Sequence, residues 1–317
     1  MAETWVVAHA PATSANLGPG FDALGLALDW HESVHCSLAP AGGQVRALGP
    51  GAAHVPGGDT NLVARAVRAV LERAGRPPAG CRLVMQVNLP VGRGLGSSAA
   101  AVAAGLVAAN RLLGDPLAAE ALLELGTAIE GHPDNVAPAL LGGFCAAGVV
   151  SSDGQGGGRV LAVRLEPPAV VAVAAIPDRP LPTHLARAAL PSQVSFADAV
   201  ANVQRTALLV AAVAAGRLDA LAEATLDRLH QPYRAPLVPG LEACLRAARE
   251  AGALGAFLSG AGPTVLALSS PAPRAVARLQ AALQGTLAAM GGGTVRPIQL
   301  SARGAWAEPA EPPAGFF

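Results

Sequence analysis

Pro90-Val91-Gly92-Arg93-Gly94-Leu95-Gly96-Ser97-Ser98-Ala99-Ala100 is the stretch on which the fold turns. Residues 82–89 before it alternate as a strand, and Ser97 or Ser98 after it opens an alanine-rich helix to about Leu113, stopped by Gly114 and Pro116. Glycines let a backbone approach a ligand without Cβ clashes, and N–H groups at a helix start carry roughly half a positive charge. Phosphate is the natural occupant of such a place. The loop departs from two familiar templates: it has no lysine for a Gly-x-x-x-x-Gly-Lys-[Ser/Thr] loop, and Gly92-x-Gly94-x-x-Ser97 lacks the third glycine of a dinucleotide fingerprint. A plain strand-to-helix turn is the alternative, which accounts for one or two glycines but poorly for three at alternate positions followed by two serines.

On the N-terminal side, residues 5–10, 24–28, 33–38 and 81–89 read as strands between glycine- and proline-rich turns. Residues 61–74 read as a helix with Leu62, Ala66, Ala69 and Val70 at helical spacing and Asp59 or Thr60 as cap. On the C-terminal side, a helix over 117–129 runs into Glu130-Gly131-His132-Pro133-Asp134-Asn135. The polar, glycine-rich run 151–158 is a hairpin or a linker near a domain boundary, dividing the chain into 1–155 and 156–317. Strands follow at 160–165 and 170–176, helices at 196–215, 218–226 and 241–250, a strand-like pair around a glycine turn at 256–268, a helix at 274–290 and a last strand at 294–300. Mixed strands and helices in both halves of a 317-residue chain without internal repeats indicate an α/β or α+β protein of about two domains.

The 22 basic residues are all arginine and balance 22 acidic ones. With no lysine there is no Schiff-base lysine, no pyridoxal anchor and no Ser-x-x-Lys hydrolase. Zero formal charge and the absence of an arginine stripe with interleaved aromatics argue against nucleic-acid binding. Cys36, Cys81, Cys145 and Cys244 are far apart, which disfavours a zinc site or a disulfide framework and suits buried thiols. The start of the chain lacks the marks of a signal peptide. The least polar runs, 99–109 and 206–215, fall short of the ~20 residues of a membrane span. A cytoplasmic protein without membrane partners is expected.

Two further segments carry chemistry. Pro11-Ala12-Thr13-Ser14-Ala15-Asn16-Leu17-Gly18-Pro19-Gly20-Phe21-Asp22-Ala23-Leu24-Gly25 sets Asn16 and Asp22 in an apolar, turn-forming run, where a buried carboxylate needs partners and an Asx turn is the simpler role. Leu258-Ser259-Gly260-Ala261-Gly262-Pro263-Thr264 is a second glycine turn, read alone as a hairpin. In their order, these segments and the 90–100 loop resemble the three motifs of the GHMP kinase superfamily, over nearly the whole chain. The wording at 11–22, at Glu130-Gly131-His132-Pro133-Asp134-Asn135-Val136-Ala137-Pro138-Ala139 and at Pro232-Tyr233-Arg234 resembles its homoserine kinase branch, which makes O-phosphohomoserine for threonine synthesis.

The resemblance implies an α+β, two-domain GHMP kinase fold. Its N-terminal α/β nucleotide domain would contain a left-handed βαβ crossover, against the general preference for right-handed ones, and its C-terminal domain would be ferredoxin-like, with the active site between them. It implies ATP on Pro90, Val91, Gly92, Arg93, Gly94, Leu95, Gly96, Ser97, Ser98, Ala99 and Ala100, with Asn61 near the adenosine unless it serves only as a helix cap. Mg²⁺ would sit on Ser98 and Glu130, although Glu130 could also be a solvated helix-end acid. Homoserine would be held by Asn16, Asp22, His132, Asn135, Thr183, Arg187 and Arg234, with Asp22 and Arg234 closest to the chemistry. Asn135 stands where other members carry a basic aspartate, so phosphoryl transfer without a dedicated strong base is expected. Neighbouring Asp134 is a weaker candidate for that role. A homodimer is usual in the family and has no signature in this sequence. Another GHMP small-molecule kinase and a catalytically silent regulator are the competing readings.

Overall fold

The computed structural model describes residues 4–39, 42–150 and 158–314. The first sheet is built on β1 (Trp5–Ala15) and β2 (Leu24–Ala39), an antiparallel pair whose register shifts between Pro11 and Ala12. β2 is a single strand of 16 residues rather than the two short ones expected. The polar run Asp29-Trp30-His31-Glu32 looks like an interruption, but only Asp29 and Trp30 bulge at that shift, while His31 and Glu32 pair with Pro11 and Ala10 and Leu28 with Ala12. β3 (Gln44–Leu48), α1 (Leu62–Arg73) and β4 (Gly80–Gln86) form a βαβ unit, with β3 and β4 running parallel. β4 stops at Gln86, short of the expected Leu89. The cap of α1 is Asn61, not Asp59 or Thr60: its side chain accepts from the Val63 and Ala64 N–H groups at 2.9 and 3.2 Å.

α2 (Ser97–Leu112) runs through the core, with residues 99–104 all buried. Its alanines are small enough for α1 to lie close across it, where Ala66 and the Val63 carbonyl meet Gly105. α3 (Ala119–Glu130) ends in left-handed Gly131, and α4 (Pro133–Leu141) follows at once, an element the sequence reading missed. β5 (Phe144–Val150) pairs with both β2 and β6 (Arg159–Leu165). The antiparallel β5–β6 register joins Val150 to Arg159, so 151–158 connects a hairpin; residues 151–157 themselves lie outside the described residues. A division at 155/156 therefore cuts through this hairpin, and β6 stays in the first sheet.

The second sheet holds β7 (Val171–Pro177), β8 (Gly255–Leu258), β9 (Val265–Ser269) and β10 (Gly293–Gln299), antiparallel in the order β10-β7-β9-β8. Counting these strands one to four along the chain gives 4-1-3-2, the ferredoxin-like arrangement. α5 (Thr183–Ala188), α6 (Phe196–Ala215), α7 (Leu221–Ala224), α8 (Gln231–Arg234) and α9 (Leu241–Glu250) lie between β7 and β8, and α10 (Pro273–Gln284) between β9 and β10. The expected helix over 218–226 is a 3-10 turn followed by the four-residue α7, and α10 ends at Gln284 rather than Met290. The final strand β11 (Trp306–Ala310) returns to pair with β1.

The unbroken apolar run of β7 has a physical reason. Ala172, Ala174 and Ile176 face the large core shared with the first domain, while Val173 and Ala175 face a second core under α9 and α10. A strand buried on both faces has no polar alternation to keep. Of the described helices, α6 alone is long and apolar enough to cross a membrane by length and composition. It is also seated on the first domain, since Asn202 and Thr206 donate to the Pro19 carbonyl at 3.1 and 3.0 Å. All four cysteines are buried and free.

Candidate active site

Gly92, Gly94 and Gly96 have φ of +68°, +78° and +66°, and a Cβ at Gly94 would lie 2.3 Å from the Ser259 carbonyl oxygen. This left-handed, crowded path is open only to glycine. Every carbonyl of the loop core is tied back into the scaffold. Gly92 O accepts from Leu181 N–H (3.0 Å), Arg93 O from Thr264 N–H (3.3 Å), Gly94 O from Ser259 Oγ (2.6 Å), Leu95 O from Thr13 N–H (3.1 Å) and Gly96 O from Ala100 N–H (2.8 Å). Apart from Arg93, whose N–H closes the turn over Val91 and Gly92, none of the backbone N–H groups from Val91 through Ala99 finds an acceptor among the described residues. α2 begins without a capping side chain, because its N-cap is Gly96 and not a serine; Ser97 Oγ donates to Glu32 (3.0 Å) and Ser98 Oγ to Glu130 (2.8 Å). Satisfied carbonyls beside unsatisfied N–H groups make an anion cradle.

The other end of the cleft is charged. Asn16, Leu17 and Asp22 all take positive φ, a sparsely populated state for non-glycine residues that recurs at functional sites. Asn16 Oδ1 accepts the Asp22 N–H (3.0 Å), and Asn16 Nδ2 reaches across to the Gly260 carbonyl (2.9 Å). The Asp22 carboxylate faces the α5 guanidinium of Arg187 in a bidentate pair of 2.7 and 3.0 Å. That hydrogen bond pushes the Arg187 pKa up. Arg187 and Arg234 lie over the Phe21 ring, with Cζ 5.6 and 5.3 Å from its centroid.

Arg234 is only 2% exposed. It donates to the carbonyls of Gly260 (Nη1, 2.9 Å) and Ala186 (Nε, 3.3 Å) and to His230 Nδ1 (3.2 Å), with no carboxylate at ion-pair distance among the described residues. Burial, and then repulsion from Arg187, brings its pKa down to about 10. His230 is oriented in turn. Its Nε2 sits 2.8 Å from the Gly18 carbonyl, which can only accept, so Nε2 carries the proton and Nδ1 receives Arg234. The Asp227 carboxylate collects the N–H groups of Leu229, His230 and Gln231 at 2.7–3.0 Å and fixes this turn.

Between the two ends, His132 Nδ1 contacts Asp134 Oδ1 at 2.6 Å, a hydrogen bond that raises the His132 pKa. Asn135 accepts from Thr13 Oγ1 (2.8 Å) and donates to Asp134. Burial raises the Glu130 carboxyl, with Ser98 and His132 opposing the shift. No cationic side chain pairs with Glu130 at ion-pair distance among the described residues. A carboxylate and a hydroxyl beside an anion cradle form an oxygen donor set that fits a hard divalent cation bridging to phosphates.

All the predicted homoserine-contacting residues, residues 90–98 and Glu130 line one cleft of about 340 Å³ between the domains. Three predicted positions do not. Ala99 and Ala100 are buried inside α2. Asn61 is 1% exposed, and its polar atoms are used by the α1 cap, the Pro56 carbonyl and Met85 Sδ. The Arg93 side chain also departs from a phosphate-binding pose: its guanidinium donates to the Pro177, Val91 and Asp178 carbonyls and ties the loop to the end of β7. Asp134, named above only as a weaker candidate for the base, and Gly260 and Ala261, from the glycine turn at 258–264, line the cleft as well.

The family model for the GHMP kinases N terminal domain matches residues 61–143, and that for GHMP kinases C terminal matches residues 209–285. This chain belongs to the GHMP kinases. Within the family, this GHMP kinase is 48% identical to a homoserine kinase of Moorella thermoacetica, over 81% of this chain and 85% of that protein. It is equally similar, at 48% over 81% and 82%, to a homoserine kinase of Deinococcus radiodurans. A crystal structure of homoserine kinase from Cytophaga hutchinsonii superposes with a TM-score of 0.85 at 31% identity, covering 96% of this GHMP kinase and 97% of that chain.

Proposed function

We propose that this GHMP kinase transfers the γ-phosphoryl group of ATP to the side-chain hydroxyl of L-homoserine, giving O-phospho-L-homoserine and ADP. The observation that carries the reading is a single cleft with an N–H cradle at one end and the Asp22–Arg187 pair beside Arg234 at the other. An α-amino acid brings an ammonium and a carboxylate of its own, so it can satisfy both members of that pair at once. Asp22 and Asn16 receive the ammonium end, and Arg187 and Arg234 the carboxylate, with Thr183 and His132 as neighbouring contacts.

The substrate hydroxyl forms the new O–P bond as the bridging O–P bond to ADP breaks, and its proton leaves to solvent or to the transferred phosphoryl group. Asn135 cannot take that proton, so positioning and charge stabilisation supply the acceleration. Loop N–H groups hold the phosphates in place of a lysine. Ser98 and Glu130 are the residues that would hold Mg²⁺, which when bound neutralises charge on the phosphates.

A coupled ADP-release assay against homoserine, mevalonate, galactose and water, with and without Mg²⁺, tests the proposal. Homoserine-dependent release is expected. Release with mevalonate instead would mark another small-molecule kinase, and no release above water from folded protein would leave a silent binding protein.

A further inference from the structure

Glu32 is a buried acid in the middle of β2, only 2% exposed and paired across the sheet with Ala10. Its carboxylate accepts from Ser97 Oγ at 3.0 Å, on the first residue of α2, and the backbone N–H of Leu89 lies close enough to lower its pKa. Leu89 and Ser97 are the residues immediately before and after the glycine loop 90–96. One side chain thus stands beside both ends of the loop and is hydrogen-bonded to the start of α2.

The other restraints on the loop act on its interior carbonyls and come largely from the second domain, through Leu181, Ser259 and Thr264. Glu32 links the first sheet to Ser97, at the loop's C-terminal end. A carboxylate in this place is costly: burial pushes its pKa up to about 7, and any negative charge there opposes an anion above it. A side chain used only to fill the core would avoid that cost.

We infer that Glu32 is a positioning residue for nucleotide binding, a staple that holds Ser97, and with it the start of α2, against the first sheet and so keeps the loop N–H groups converged on the phosphates. This rests on the reading that the loop receives ATP. Glutamine at this position keeps the link, because its amide donates to Ser97 Oγ while its oxygen still faces the Leu89 N–H. Alanine removes it.

The test uses the full chain as wild type, Glu32→Gln, Glu32→Ala, Ser97→Ala and the Glu32→Ala/Ser97→Ala double variant. ADP affinity is read by calorimetry, and KM for ATP and for homoserine from initial rates. Glu32→Ala should weaken ADP binding and raise KM for ATP by about tenfold or more, while KM for homoserine moves by less than about twofold. Glu32→Gln should lie within about threefold of wild type, and the double variant should be no worse than Glu32→Ala. Wild-type ADP affinity in Glu32→Ala, equal rises in both KM values, or failure of Glu32→Gln to restore affinity overturns the staple. If Glu32→Ala does not fold, Ser97→Ala decides, since unchanged ADP affinity in that variant overturns the staple equally. A wild-type protein that binds no ADP overturns the nucleotide reading itself, a result distinct from the others.

Discussion

Arg234 is a buried guanidinium satisfied by carbonyls and a neutral imidazole, with no anion at ion-pair distance among the described residues. The fall of its pKa from the ordinary arginine value to about 10 corresponds to about 3 kcal/mol spent on holding the charge there. An anionic group supplied by substrate regains part of that energy, which bounds its contribution at on the order of 100-fold. Arg234→Met keeps a long apolar stem and removes the charge. Its kcat/KM for homoserine, measured by coupled ADP release, should fall on the order of 100-fold, with KM for ATP changed by less than about twofold. A loss in KM for homoserine places the guanidinium on the substrate carboxylate; a loss in kcat places it on the transferring phosphoryl group. Homoserine should raise the melting temperature of the wild type and not of the variant. A variant whose kcat/KM stays within about threefold of wild type would refute the argument that this charge awaits an anion.

Gly94→Ala would put a methyl group 2.3 Å from the Ser259 carbonyl at a φ of +78°, so the loop must leave its place; a loss of ADP affinity of at least about tenfold is expected by calorimetry. Glu130→Gln should weaken the Mg²⁺ dependence of ATP turnover by about 1–3 kcal/mol in a metal titration, and an unchanged titration curve would count against this ligand. Glu32 links stability to pH. Its folded pKa of about 7 lies above the carboxylate value of the unfolded chain, so its cost is absent below pH ~4.5, grows as pH rises, and is complete above pH ~7. Relative to wild type, Glu32→Gln should therefore gain about 3 kcal/mol of unfolding free energy between pH 4.5 and 8, read by urea denaturation; a pH-independent difference would contradict this.

What the sequence disclosed follows from how far each signal extends along the chain. The glycine loop, the alanine-rich α2 and the doubly buried β7 carry local patterns strong enough to read directly. β3 and β11 are edge strands with much exposed surface, and α5 is only six residues long, so periodicity had little to register. β2 looked broken at Glu32 because the partner of that buried acid, Ser97, lies 65 positions away. The residues of the cleft were found through motifs, but their pairing was not: nothing local to Asp22 indicates Arg187, which is 165 positions away. Asn61 illustrates the reverse, a motif residue whose side chain is consumed by local capping.

The carbonyls that shape the glycine loop are held by both domains: Thr13 from the first, Leu181, Ser259 and Thr264 from the second, with Arg93 clasping the end of β7. The cradle is therefore a seam and not the property of either half. An isolated N-terminal fragment would keep the glycine sequence yet lose the donors that turn its N–H groups outward. Moving the domains apart would break these hydrogen bonds, so the cradle has this form only while the two domains stay together.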